Sequence, residues 1–348
     1  MPSLDAVPSP PLNSCKSKVN TVKKTTKWLC ALFSATALFA SVGASAKDLR
    51  LGLIVPGTHA WTQAAQAMGD ELKERSEGKY SVSVFPAGQL GSEARMLQQL
   101  QTGALDMAFM TTAEIANRVP DFGALFAPYL VKDVVQAGQL LNGPAAQGLL
   151  TQLPAKAGVV GLGYGVAGMR LMLNAFPTDS VDAVEGRKMR ITPFPPVQDF
   201  YRLLGAAATP MPITDVYDAL ANGQVDGVDA DLELIWKLRL HERAKTVLQS
   251  NHMMFPVIGL MSGRIWAQTG EEDRKLIREL ARKHLDSLTA QYAQSEAQTQ
   301  ASIEESGIKV TQVGPEFFGD KLQQWEDIWM KKTPVLADLR KEAAALAQ

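Results

Sequence analysis

Apolar residues recur along this chain in two rhythms. A buried strand is read over Leu49 to Val55 in "DLRLGLIVPGTHAW", which runs into a Pro-Gly turn. Ala64, Ala65, Met68 and Leu72 then repeat at helical spacing, and Val82 and Val84 alternate in "YSVSVF" as a strand requires. A strand, helix, strand order predicts α/β architecture.

One pattern occurs twice. Ser92 can cap a helix over "EARMLQQLQT" that stops at Gly103, and "ALDMAFM" continues as a buried strand. Thr214 can cap "DVYDALAN", which stops at Gly223 and continues into "QVDGVDA", so that Asp106 and Asp226 correspond. The echo predicts two similar lobes; the competing reading is that any two helix-to-strand joints of an α/β protein look alike. Ligands of open α/β sheets sit beyond the carboxyl ends of the strands, which sets "MTTAE" (Met110 to Glu114) and "DADLE" (Asp229 to Glu233) facing each other across a cleft.

Further on, Thr269 with Glu272 reads as a capping box opening a helix from Glu271 to about Ser306, stopped by Gly307. At 1.5 Å per residue it would be about 50 Å long, enough to brace both lobes. Its charges fall outward, with Leu276, Leu280, Ala281 and Leu288 inward. "KVTQV" is a short strand, and Trp325, Ile328 and Trp329 are expected to pack rather than stack on a ligand.

The N-terminus changes the picture. Five lysines between Lys16 and Lys27 precede the apolar run "WLCALFSATALFA" and then "ASA" at Ala44 to Ala46. That is the layout of a secretory signal peptide cut before Lys47, leaving 302 of 348 residues. Both cysteines, Cys15 and Cys30, lie in the removed segment, so the mature chain has no disulfide, thiol nucleophile or cysteine metal ligand. The leader takes away five lysines and one acid, Asp5, so 30 basic residues face 35 acidic ones, which argues against a nucleic-acid partner. An exported protein of the Gram-negative periplasm is the expectation.

The chemistry is sparse. His59, His241, His252 and His284 show no metal spacing, no GxSxG or Walker glycine loop is present, and no cofactor or metal is expected. The glycines of "GVVGLGYGVAGMR" lack a Rossmann context and read as a tightly packed strand leading into Arg170. Arg190 is the best candidate for a ligand contact. It closes the strand-like "KMRIT", and Pro193, Pro195 and Pro196 force a rigid bend that would fix a planar guanidinium for a carboxylate. The competing reading is a surface arginine or an internal ion pair with Asp199 or Glu185.

"FPAGQLGSEARMLQQLQTGALDMAFM" and "GRKMRITPFPPVQDFYRLLGAAATPMPITDVYDALANGQVDG" resemble the two signatures of the solute-binding proteins of tripartite ATP-independent periplasmic (TRAP) transporters, in order and spacing from Lys47 to about Gly307. The resemblance implies a periplasmic-binding-protein-like α/β fold of two lobes with mixed sheets, hinge strands and a long bracing helix. The lobes would be 47–167 plus 256–295 and 168–255 plus 296–348. It also implies no enzymatic activity, a small organic acid as ligand, a membrane permease pair as partner, and a monomer.

By the same resemblance Arg190 takes the ligand-pairing position and Arg170 the assisting one. His59, Trp61, Thr111 and Thr112 fall on cleft loops. After "VDG", where many members carry Gln-Glu-Asn, this chain has Val228, Asp229 and Ala230. Ala230 would leave room for a bulkier or more apolar ligand, while Asp229 or Asp231 would accept from its hydroxyls, unless Asp231 caps the following helix. Hydroxylated, branched or aromatic monocarboxylates are therefore expected. The alternatives are a secreted enzyme using Asp229, Asp231 and a histidine, or a receptor that shows its ligand to a membrane sensor.

Overall fold

The computed structural model describes residues 46–347. The expected leader, with Cys15 and Cys30, lies outside the described residues apart from Ala46.

Nine strands among these residues form one mixed sheet: β1 Lys47–Gly52, β2 Tyr80–Phe85, β3 Met107–Thr111, β4 Val159–Asn174, β5 Lys188–Ile191, β6 Ala207–Pro210, β7 Gly227–Ala230, β8 Thr246–Ser262 and β9 Lys309–Gln312. Their order is β2-β1-β3-β8-β4-β7-β5-β6, with β9 paired to β8. Parallel β1, β2 and β3 make one end, and parallel β5, β6 and β7 make the other. The antiparallel pair β4 and β8, of 16 and 17 residues, runs through both ends. Residues 257–261 of β8 pair with β3, whereas residues 246–249 pair with β9, so one continuous strand serves two sub-sheets. Between them the β4–β8 register shifts, first between Val166 and Met169 and again between Arg170 and Met172. Such irregularities bend a ladder and re-aim its side chains.

Helices flank the sheet: α1 Ala60–Arg75, α2 Glu93–Thr102, α3 Thr112–Ala116, α4 Val134–Leu141, α5 Pro144–Leu150, α6 Leu153–Ala157, α7 Pro195–Leu203, α8 Val216–Ala221, α9 Leu232–Lys237, α10 Gly263–Gln268, α11 Glu271–Glu305, α12 Lys321–Lys332 and α13 Val335–Leu346. The apolar face read for α1, with Ala64, Ala65, Met68 and Leu72, is buried. Trp325 and Trp329 pack inward at 5.4 Å between ring centroids. A second, smaller core gathers Leu171, Leu173, Val216, Val228 and Ile235 under α8 and α9.

The long helix α11 runs 35 residues and lies against β4. The glycines that looked like a loose nucleotide loop explain how. A Cβ on Gly163 would come 2.8 Å from Arg282 Cγ, and one on Gly165 would come 2.8 Å from the Leu285 carbonyl, so only glycine lets this helix lie on the strand. Its start differs from the expected capping box. Gly270 is the N-cap without a side-chain bond, and Thr269 instead donates to the Ile265 carbonyl at 2.8 Å. Three acids in the first turn, Glu271, Glu272 and Asp273, compensate at the positive end of the dipole.

The sequence echo has a structural basis. Asp106 accepts the Arg50 backbone N–H of β1 at 3.0 Å, and Asp226 accepts the Lys188 backbone N–H of β5 at 2.8 Å. Their own carbonyls accept from Ser262 and Ala175, each at 2.8 Å. The caps differ. Ser92 accepts from the Arg95 N–H, but Thr214 lies within a short 3₁₀ turn, Ile213–Asp215, donates to Asp215, and caps nothing.

Candidate functional site

A cavity of about 720 Å³ opens beyond the carboxyl ends of β1, β3, β5, β6 and β7. Its size falls within the ordinary range for small-molecule sites. One wall comes from Ile54, Trp61, Glu93, Thr111 and Glu114, and the facing wall from Arg190, Thr192, Ile213 and Asp231; Arg170 and Phe255, on the two through-strands, lie between.

Arg190 is the penultimate residue of β5 and is 2% exposed. Its Nε and Nη2 donate to the Met211 carbonyl at 3.0 and 2.7 Å, and Nη1 donates to the Asp229 carbonyl at 3.3 Å. Three of its five N–H donors are thus tied to backbone, which fixes the plane of the fork and leaves two free. Among the described residues no carboxylate pairs with it: Asp199 is engaged by Arg202, Trp329 and Lys332. Burial, then the neighbouring Arg170, push the guanidinium down to about 9. The prolines act differently from the rigid bend expected of all three. Pro193 lines the cavity, while Pro195 and Pro196 open α7, where their missing donors cost nothing.

Arg170 is 1% exposed but neutralised. Its Nε donates to Asp229 Oδ1 at 2.6 Å, Nη1 lies 3.4 Å from Asp231 Oδ2, and its guanidinium carbon sits 4.3 Å from the Phe255 ring centroid. It also bonds the Asp229 carbonyl.

Asp229 is fully buried behind the arginines and does not line the cavity. Its Oδ2 accepts from the Tyr201 hydroxyl at 3.0 Å and lies 3.1 Å from His252 Nε2. Ser250 Oγ is 2.8 Å from His252 Nδ1, an arrangement satisfied by the Nε2–H tautomer, and the ring stacks on Phe200 at 4.9 Å. Burial alone would raise the Asp229 carboxyl; Arg170 and His252 outweigh it and hold it down at about 2. It is a counterion, and the expected contact with ligand hydroxyls is replaced by three internal partners, Arg170, Tyr201 and His252.

Ala230 is likewise fully buried in the smaller core and adds no space to the cavity. Asp231 does line it, and it also caps α9 by accepting the Leu234 N–H at 2.9 Å, so the capping reading holds. Burial pushes its carboxyl up to about 7.

Thr111 lines the cavity, whereas Thr112 turns away to donate to the Pro256 carbonyl at 2.9 Å. Trp61 forms part of the wall. His59 does not; it is the N-cap of α1, its Nδ1 accepting the Trp61 N–H at 3.3 Å, and burial lowers it to about 4.

Sequence reasoning missed Glu93. As the first residue of α2 it looked like an ordinary helix-start acid, yet it lines the cavity and is half-buried. Oε1 accepts the Thr111 N–H at 2.5 Å and Oε2 the Thr111 hydroxyl at 2.7 Å. Burial pushes its carboxyl up to about 7. The site is therefore polarised, with a fixed, unpaired cation on one wall and the fixed Glu93 carboxyl opposite.

Residues 51–332 match the model of the bacterial extracellular solute-binding proteins, family 7. The chain belongs to that family. The sialic acid-binding periplasmic protein SiaP of Vibrio cholerae is 27% identical over 305 residues, covering 88% of this chain and 94% of SiaP. The 2,3-diketo-L-gulonate-binding periplasmic protein YiaO of Escherichia coli is 26% identical over 315 residues, or 89% of this chain and 96% of that one.

Solved structures agree. A TRAP periplasmic solute-binding protein of a Bradyrhizobium species, in complex with D-galacturonate, superposes with a TM-score of 0.80 at 29% identity, covering 85% of this chain and 99% of that chain. The sugar acid binding protein of Advenella mimigardefordensis, in complex with galactonate, gives 0.81 at 26% identity, covering 86% and 99%. The fold is thus the two-lobed one of TRAP solute-binding proteins, and the protein is a binding receptor rather than an enzyme.

Proposed function

We propose that this receptor captures a hydroxylated monocarboxylate of the uronic or aldonic acid class. The observation that carries this reading is Arg190, buried at the cavity wall with two free donors and no carboxylate partner of its own. An isolated buried cation is costly, and an incoming carboxylate relieves that cost while gaining two parallel hydrogen bonds. Glu93, fixed by Thr111, and Glu114 offer acceptors for hydroxyls at the far end, while Trp61, Phe255 and Leu234 supply an apolar surface for carbon atoms. The sugar acids bound by the relatives have this layout of one carboxylate and several hydroxyls.

In this reading the mature chain starts near Lys47 in the periplasm as a monomer. Its lobes, 47–167 with 256–295 and 168–255 with 296–348, close about β4 and β8, and the closed form delivers the acid to TRAP permease subunits. Titration calorimetry with D-galacturonate tests the reading. Arg190→Ala is expected to weaken binding from tens-fold to several thousand-fold, the equivalent of about 2–5 kcal/mol, and Arg190→Lys to recover only part because a point charge does not reproduce the fork. Affinity unchanged in the alanine variant refutes the assignment.

A further inference from the structure

We infer that Glu233 is a positioning residue that fastens the two cavity walls together and slows ligand release. The inference rests on the receptor reading above. Glu233 belongs to α9, which follows β7, while its partners lie 173 positions away at the start of α1, which follows β1 at the opposite end of the sheet. Its Oε1 accepts the backbone N–H of Ala60 at 3.2 Å. Ala60 is the first residue of a 16-residue helix, where N–H groups have no partner within the helix and the dipole favours an anion.

The second oxygen faces the same place. His59 Nδ1 is occupied by the Trp61 N–H, so the ring proton resides on Nε2, which lies 3.7 Å from Glu233 Oε2 and is fully buried without another partner. The residues next to this contact belong to the cavity: Trp61 on one side, Asp231 and Leu234 on the other. Parting α9 from α1 therefore parts the cavity walls.

Two further atoms have no partner here, Trp61 Nε1 and the Tyr292 hydroxyl, and Tyr292 sits on α11 beside a void of about 20 Å³ bounded by Asp231 and Glu233. That is room for one water, which would join the helix α11 to the latch. Ser295 and Gln298 on α11 and Lys237 on α9 border the solvent side of the same contact.

The test is stopped-flow kinetics with D-galacturonate on the full mature chain. Glu233→Ala is expected to raise koff about ten-fold with kon unchanged, the scale of one hydrogen bond between a charged group and a helix N-terminus. Glu233→Gln, which keeps an acceptor for Ala60 and loses the charge, is expected to fall between. The melting temperature of the ligand-free protein should stay the same while that of the liganded form drops. A wild-type koff in Glu233→Ala overturns the latch, as does an equal drop in both melting temperatures, which would make Glu233 a structural cap only. If the wild-type protein binds no uronic or aldonic acid, or Arg190→Ala binds galacturonate normally, the receptor reading itself fails, a result distinct from a failed latch.

Discussion

The two ends of the sheet share a frame and differ in what they put on it. Asp106 and Asp226 each take a backbone N–H from the neighbouring parallel strand, and Gly103 and Gly223, both with positive φ, end the preceding helices. Moving along from each aspartate by the same number of residues reaches Phe109 in β3 and Asp229 in β7, both fully buried. Two residues further, Thr111 and Asp231 both line the cavity. One end therefore buries an aromatic ring where the other buries a carboxylate. The difference follows from the arginines: Arg170 and Arg190 approach β7, and without Asp229 only Asp231, 3.4 Å from Arg170, would offset them. Pairing positions set the frame, and under the receptor reading charge placement would set which way a ligand points.

The sharpest way to break this comparison is Asp229→Asn. Removing one member of a buried hydrogen-bonded ion pair strands the other, so a loss of about 3–5 kcal/mol in urea denaturation is expected. The pH dependence has a definite sign. Asp229 is held at about 2, below its ordinary 3.8, so its stabilisation is present above about pH 4 and is lost as pH falls through that window. The asparagine variant should lack this acid limb; an unchanged acid limb would show that the counterion lies elsewhere.

A pH dependence of opposite sign belongs to Asp231. Its carboxyl is raised to about 7 from 3.8, so the folded state holds the proton more tightly, and this residue's contribution to stability declines as pH rises between those values. Asp231→Asn keeps a good N-cap for α9 and should flatten that decline, with thermal melts at pH 5 and pH 8 as the readout. A decline as steep as in the wild type would remove the residue from this role.

The smallest effect separates the two helix starts. Ser92→Ala should cost about 1 kcal/mol, because a cap bond to Arg95 is lost, while Thr214→Ala should stay within about 0.5 kcal/mol. Equal costs would mean that the two ends are capped alike.

Much of the frame was legible in the chain. Helix stops at glycine, apolar spacing on α1 and the limits of α11 follow from local rules, and Arg190 announced itself as a cation at a strand end. What escaped depended on facing and on distance. β7 is buried on both faces, so its pattern does not tell which side Asp229 takes, and that side is set by pairing with β4. Tyr201 and His252 meet Asp229 from 28 and 23 positions away. Glu93 became a cavity residue only through its bonds to Thr111, 18 positions on. Ala230 was misread for the same reason as Asp229: a small side chain suggests space, and the register decided whose space it was.

Among the described residues, Arg170 and Phe255 sit on the only two strands that run through both ends of the sheet, beside the shifts in their pairing. A lever usually carries its load away from the fulcrum. Under the receptor reading proposed above the load rests beside the fulcrum, so an anion held by Arg190 would act next to the pivot directly, and occupancy would need no relay to be felt by both arms.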